Sequence, residues 1–94
     1  MKNRPEHLAS EIRRQLALEI QADFENSIIS ITDVVVMPDL TNANIWIKIL
    51  GQNVFGSIIN NTPKYRGLIA SRLKLRKAPE LKFIPDNIDL KIPE

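Results

Sequence analysis

An α+β fold is predicted for this chain, a three-stranded sheet packed against helices in the order α-β-β-α-α-β. Three observations predict it. Apolar residues recur at four-residue spacing over residues 8–20. Two β-branched runs separated by a short turn fill residues 28–50. From Val54 onward helical spacing breaks at Asn60-Asn61, resumes, and gives way after Pro79 to strict alternation. A helix must bury one stripe and a strand pair one face, and helices laid on a sheet satisfy all of these stripes together.

The first helix is expected over residues 3–22. Pro5 suits a first helical turn, where its missing N–H costs nothing, and Asn3 is placed to cap it. Leu8, Ile12, Leu16 and Ile20 then form one apolar stripe over about five turns, with Glu11, Arg13, Arg14, Gln15 and Glu19 facing away. A core-packing helix explains this stripe without any binding role. The first strand is expected over residues 28–37. Its alternation fails at Val34-Val35-Val36, which a bulge near Asp33 or burial on both faces would explain. Pro38 to Asn42 reads as a turn, and the second strand occupies residues 43–50 as its antiparallel partner. On that strand Ala43, Ile45, Ile47 and Ile49 face one way, and Asn44, Trp46, Lys48 and Leu50 the other.

A short helix is expected over residues 53–61, from the spacing of Val54, Phe55, Ile58 and Ile59. Thr62-Pro63 restarts a second one over residues 63–76, with Tyr65, Leu68, Ile69 and Leu73 inward. Pro79 stops that helix, and the third strand covers residues 80–84, closed by Pro85. Ile88, Leu90 and Ile92 could begin a further extended segment.

The 94 residues are expected to form a single domain, 1–94, and 44% apolar content is enough for it to fold. Without cysteine, disulfide and thiolate chemistry are excluded, which fits a cytoplasmic location. No apolar run reaches the length of a membrane span. His7 is the one histidine, and with no cysteine beside it the chain lacks a zinc ligand set. Gly51-Gln52-Asn53-Val54-Phe55-Gly56 lacks the lysine and hydroxyl residue of a phosphate-binding loop. Asp33, Asp39, Asp86 and Asp89 read as turn formers and edge charges. No catalytic constellation is found, and neither a cofactor nor a small-molecule substrate is expected.

Charge is the stronger signal. Between Thr62 and Lys82 lie seven cations and a single acid, Glu80, while the rest of the chain holds six basic and ten acidic residues. The formal net charge of +2 therefore hides a polarity. A concentrated positive field on one element suits a polyanion, RNA being the commonest, although a solvated helix face would carry the same charges.

Arg66, Leu73, Leu75 and Arg76 followed by Pro79, Glu80, Leu81 and Phe83 resemble the "R…L.LR..PEL.F" signature of the ribosome-binding factor A family. The block from Ile31 to Ile47 resembles that family's "VT.V.VS.DL..A.V.V" hairpin, and the first helix, from Arg4 through Ile12, Leu16 and Ile20, fits as well. The resemblance covers roughly residues 4–86, and the order of its three blocks carries it. It implies a type II KH-like domain in which a helix-kink-helix replaces the GXXG loop. An RNA-clamping KH domain uses that loop to let backbone approach phosphates. Here the junction is Asn60-Asn61-Thr62-Pro63-Lys64, without glycine, and Asn61-Thr62-Pro63 stands where the family usually has Ala-x-Gly.

The resemblance further implies a non-catalytic small-subunit assembly factor. Such a factor binds the immature 30S subunit through 16S rRNA, assists late rRNA processing and supports growth in the cold. With no clamp, binding should rest on phosphate contacts from Lys64, Arg66, Arg72, Lys74, Arg76 and Lys77, with Arg4, Arg13 and Arg14 as secondary contacts. Charge reversal at Arg72 and Lys74 is the expected way to abolish it. Arg76 could instead pair with Glu80, and Trp46 could stack on a base, although burial tendency favours its packing under a helix. The alternative of a different class is a KH-like protein-interaction module whose basic helix docks an acidic protein partner. A monomer is the expected state.

Overall fold

The computed structural model describes residues 4–86. The Asn3 cap and the extended segment of Ile88, Leu90 and Ile92 lie outside these residues. The element order is α1 Arg4–Asp23, β1 Ser27–Val36, β2 Asn42–Gly51, α2 Phe55–Asn60, α3 Thr62–Arg72 and β3 Glu80–Pro85. The strands form one sheet in the order β1-β2-β3, with β1 and β2 antiparallel and β2 and β3 parallel. This is the predicted α+β, type II KH-like architecture.

On α1 the stripe is buried as the spacing requires, with Ile12, Leu16 and Ile20 fully enclosed. They pack on Ile29, Ile31, Val34 and Val36 of β1, Ala43, Ile45 and Ile47 of β2, and Leu81 and Phe83 of β3, with Ile58, Tyr65 and Ile69 from α2 and α3 in the same core. Of the two explanations for Val34-Val35-Val36, the bulge is the one adopted. Ile31 pairs with Ile47 but Asp33 with Trp46, so one extra residue enters β1. Inward positions therefore switch from odd to even numbers, and Val34 and Val36 face the core as Ile29 and Ile31 do. The Arg13 guanidinium donates to the Ile31 carbonyl at 2.9 Å, beside this irregularity.

The β1–β2 turn is held by Asp39, whose carboxylate accepts from the Thr41 N–H at 3.1 Å and the Thr41 hydroxyl at 2.7 Å. Those bonds hold its carboxyl below the usual range. At the far end of β2, Gly51 adopts φ +98, and a Cβ there would meet the Asn26 carbonyl at 3.3 Å.

A single residue, Asn61, separates α2 from α3, and its carbonyl already accepts from the Tyr65 N–H at 3.1 Å. Pro63 lies in the first turn of α3, where it removes a hydrogen bond the helix does not need. The two helices thus meet at a break with no glycine at the junction.

Two expectations are corrected. α3 ends at Arg72, four residues short of the predicted boundary at 76. The Leu75 N–H reaches back to the Ala70 carbonyl at 2.9 Å and the Lys74 N–H to Ser71 at 3.3 Å, with Lys74 itself at φ 56. This is the Schellman ending, with lysine where glycine is usual. Secondly, Trp46 does not pack under a helix. The core-forming side chains all share one face of the sheet, and Trp46 stands half-buried on the other, beside Asp33 of β1 and Ile84 of β3.

Candidate nucleic-acid interface

The six candidate cations divide into two groups of three. Those within α3 are engaged inside the molecule, each for an identifiable reason. α3 has no acid in its own first turn, and Asp23 from the end of α1 supplies one. Its carboxylate accepts from Lys64 at 2.8 and 2.9 Å and from the Tyr65 hydroxyl at 2.9 Å. Arg66 turns toward the approach to β3, where its Nε donates to the Pro79 carbonyl at 3.1 Å and its Nη2 to Ala78 at 3.0 Å. Arg72 bonds Gln15 at 3.3 Å and pairs with Glu19 at 3.2 Å, fastening the end of α3 to the middle of α1.

Lys74, Arg76 and Lys77 behave differently. All three are exposed on the connection between α3 and β3, and none makes an ion pair or side-chain hydrogen bond among the described residues. The early end of α3 causes this, because the left-handed turn at Lys74 carries the following residues off the helix axis. Arg76 does not pair with Glu80, since that carboxylate lies 3.5 Å from Arg66 instead. Lys77 borders a hollow it shares with Asp39, Leu40, Thr41 and Asn42 of the β1–β2 turn. A larger groove of about 810 Å³ opens between the start of α1, Leu40, and Leu73 and Leu75 of the same connection. Arg4 and His7 lie on its rim. The three unpaired cations thus stand where the start of α1, the β1–β2 turn and the α3–β3 connection meet.

The secondary candidates fare unevenly. Arg13 is occupied by the Ile31 carbonyl, and Arg14 pairs with Glu11 at 3.2 Å on the exposed side of α1. Only Arg4 lies at the same end as the unpaired three. Two further unpaired cations, Lys48 on β2 and Lys82 on β3, escaped the sequence reading as site residues. The alternation that sets Lys48 on the same face as Trp46 was the available signal. Among the described residues, no group of three or more His, Cys, Asp or Glu could hold a metal ion, and no helix is long and apolar enough to cross a membrane.

The network at Asp23 has a pH signature. Burial pushes the Asp23 carboxyl up, but the hydrogen bonds from Lys64 and Tyr65 and the lysine charge outweigh it and hold it below its ordinary value. Burial, with the Asp23 charge adding, pushes the Tyr65 hydroxyl up to about 12. A carboxyl lowered on folding stabilises the fold above its unfolded pKa, and that contribution is lost as pH falls below about 4. A tyrosine raised on folding contributes fully below pH 10 and loses its contribution between there and about pH 12. Asp23→Asn should therefore cost about 1 kcal/mol at neutral pH, given the half-exposed lysine. That cost should shrink at a pH below the lowered native value of this carboxyl. Chemical denaturation of both proteins at the two pH values checks it, and a gap undiminished in acid would deny the linkage.

The family profile described as ribosome-binding factor A matches residues 4–91. Ribosome-binding factor A of Shewanella sp. (strain ANA-3) is 30% identical over 94 residues, covering 90% of this chain and 64% of that protein. The chain thus spans less than two thirds of the length of that relative. Among solved structures, the crystal structure of ribosome-binding factor A from Thermus thermophilus superposes with a TM-score of 0.77 at 21% identity, covering 88% of this chain and 97% of that one. A homology model of the Thermus thermophilus ribosome-binding factor A, fitted into a cryo-EM map of its 30S complex, gives 0.75 at 22% identity, covering 84% and 91%. At those identities the two structures speak to the fold.

Proposed function

The chain belongs to the ribosome-binding factor A family, and on that footing we propose that it binds the immature small ribosomal subunit through 16S rRNA and assists late rRNA processing without catalysing it. The observation that carries this reading is the set of three exposed cations, Lys74, Arg76 and Lys77, unpaired among the described residues, at one end of a KH-like domain whose helix junction has no glycine. Phosphate oxygens can take the place of the acidic partners these side chains lack. Lys64, Arg66 and Arg72 act on the opposite side of the balance, holding α3 in place so that the connection after it is presented rigidly. The 30S complex of the Thermus thermophilus protein supports the choice of partner. The cytoplasm, as a monomer, is the setting that fits such a role.

The test is co-sedimentation with purified small subunits, beside whole ribosomes, across a salt series. Three or four phosphate contacts should give a log–log salt slope of about −2 to −4. Binding to free small subunits but not to whole ribosomes is the expected pattern. A slope near zero would remove the phosphate mechanism, and binding that survives ribonuclease treatment would turn attention to an acidic protein partner.

A further inference from the structure

Trp46 sits on β2, the central strand, so its backbone is paired on both sides, with β1 at Asp33 and with β3 at Ile84. It stands half-buried on the sheet face opposite the helices, and its indole N–H has no acceptor among the described residues. A tryptophan N–H normally finds a partner once it is shielded from water. Lys48 lies two residues along the same strand, and Lys82 is on the neighbouring strand, registered with Asn44 and hence diagonal to Trp46. Spacings of this kind are about 7 Å, within reach of a lysine side chain. Both lysines are exposed and unpaired. Of the acids on this face, Asp33 accepts from the Val34 N–H at 2.9 Å and Glu80 faces Arg66.

We infer that this face is a second RNA surface, a platform on which an unpaired base of a single-stranded segment stacks against Trp46 while Lys48 and Lys82 hold the adjoining phosphates. The chemistry selects that occupant. An aromatic ring offers a π-face that only an unstacked base can use, and flanking cations on an open sheet follow the backbone of the same strand. A second copy of this chain is disfavoured, because a self-complementary contact would press Lys48 and Lys82 against their own counterparts. A protein partner would have to bury two unpaired lysines beside its main anchor, where interfaces are depleted in lysine. The platform uses none of the residues of the α3–β3 connection, so it goes beyond the function proposed above.

Trp46 is the chain's one tryptophan, and its emission reports on this face alone. The full chain is titrated with a short single-stranded oligoadenylate and with a duplex RNA of equal length, following Trp46 emission and the anisotropy of labelled RNA. Saturable quenching by the single strand and none by the duplex is expected. Trp46→Ala should weaken single-strand binding about tenfold, with Trp46→Phe restoring most of it. Lys48→Glu combined with Lys82→Glu, both exposed and outside the core, should weaken it comparably. The Lys74→Glu, Arg76→Glu, Lys77→Glu protein should still show the quenching, which separates this inference from the function proposed for that loop. Equal quenching by both RNAs, unchanged emission when the anisotropy is saturated, no single-strand binding at all, or emission that varies with protein concentration alone would each overturn the platform.

Discussion

Replacing Lys74, Arg76 and Lys77 together by glutamate should weaken binding to isolated small subunits by about 10²- to 10³-fold at moderate salt. Each cation that neutralises a phosphate releases close to one counterion, so losing three removes close to three powers of the salt concentration from the binding constant. Reversal adds repulsion to that loss. Stability should hardly change, because these side chains have no partner to lose among the described residues. The melting temperature is therefore the control that makes the result interpretable. The salt slope should also flatten by about 2 to 3, since fewer ions remain to be displaced. If the triple variant binds like the parent, the interface lies elsewhere, and the pairing of Arg72 with Glu19 would have to open on the ribosome.

Arg66→Ala should produce the opposite pattern, a large loss of stability. Its guanidinium holds two successive carbonyls, Ala78 and Pro79, in a stretch where both residues are buried, and it faces Glu80 at 3.5 Å. Leaving such carbonyls unsatisfied costs about 1–3 kcal/mol each, less what water recovers, so the variant should lose about 2–4 kcal/mol. In a domain of this size that is a fall in melting temperature of about 10–20 °C. Arg66→Lys should rescue little, because an ammonium lacks the planar fork that spans both carbonyls. Thermal and urea denaturation decide it. A variant within about 0.5 kcal/mol of the parent but impaired in subunit binding would return Arg66 to the interface.

These opposed outcomes show where reading the sequence succeeds and where it stops. The α1 stripe, the hairpin and the break at Asn61-Pro63 follow from periodicity and proline chemistry, which are local. The bulge was legible as a fault in alternation, though its alternative, burial on both faces, needed the register to exclude it. The end of α3 was not legible. Leu75 and Arg76 keep helical spacing, and no glycine marks the left-handed position that Lys74 takes. For the site, the cluster of positive charge could be read but not its division. Whether a cation is occupied depends on which acid or carbonyl folding brings beside it. Asp23 is 41 residues from Lys64, and the Ile31 carbonyl 18 from Arg13. The case of Trp46 is similar, since alternation places it opposite Ile45 and Ile47 but says nothing of what covers that face.

The lysine at the end of α3 carries one more consequence. A left-handed residue with a β-carbon costs roughly 1 kcal/mol relative to glycine, so Lys74, at φ 56, occupies its turn at the expense of native-state stability. Its charge is also one of the three free to meet a phosphate. Two selective pressures thus pull this single codon in opposite directions. A lineage screened for heat tolerance alone would drift to glycine there and shed the proposed RNA contact, whereas one screened for ribosome binding would keep the less comfortable residue. For engineering, Lys74 is the position at which a generic stabilising substitution and the preservation of function part company.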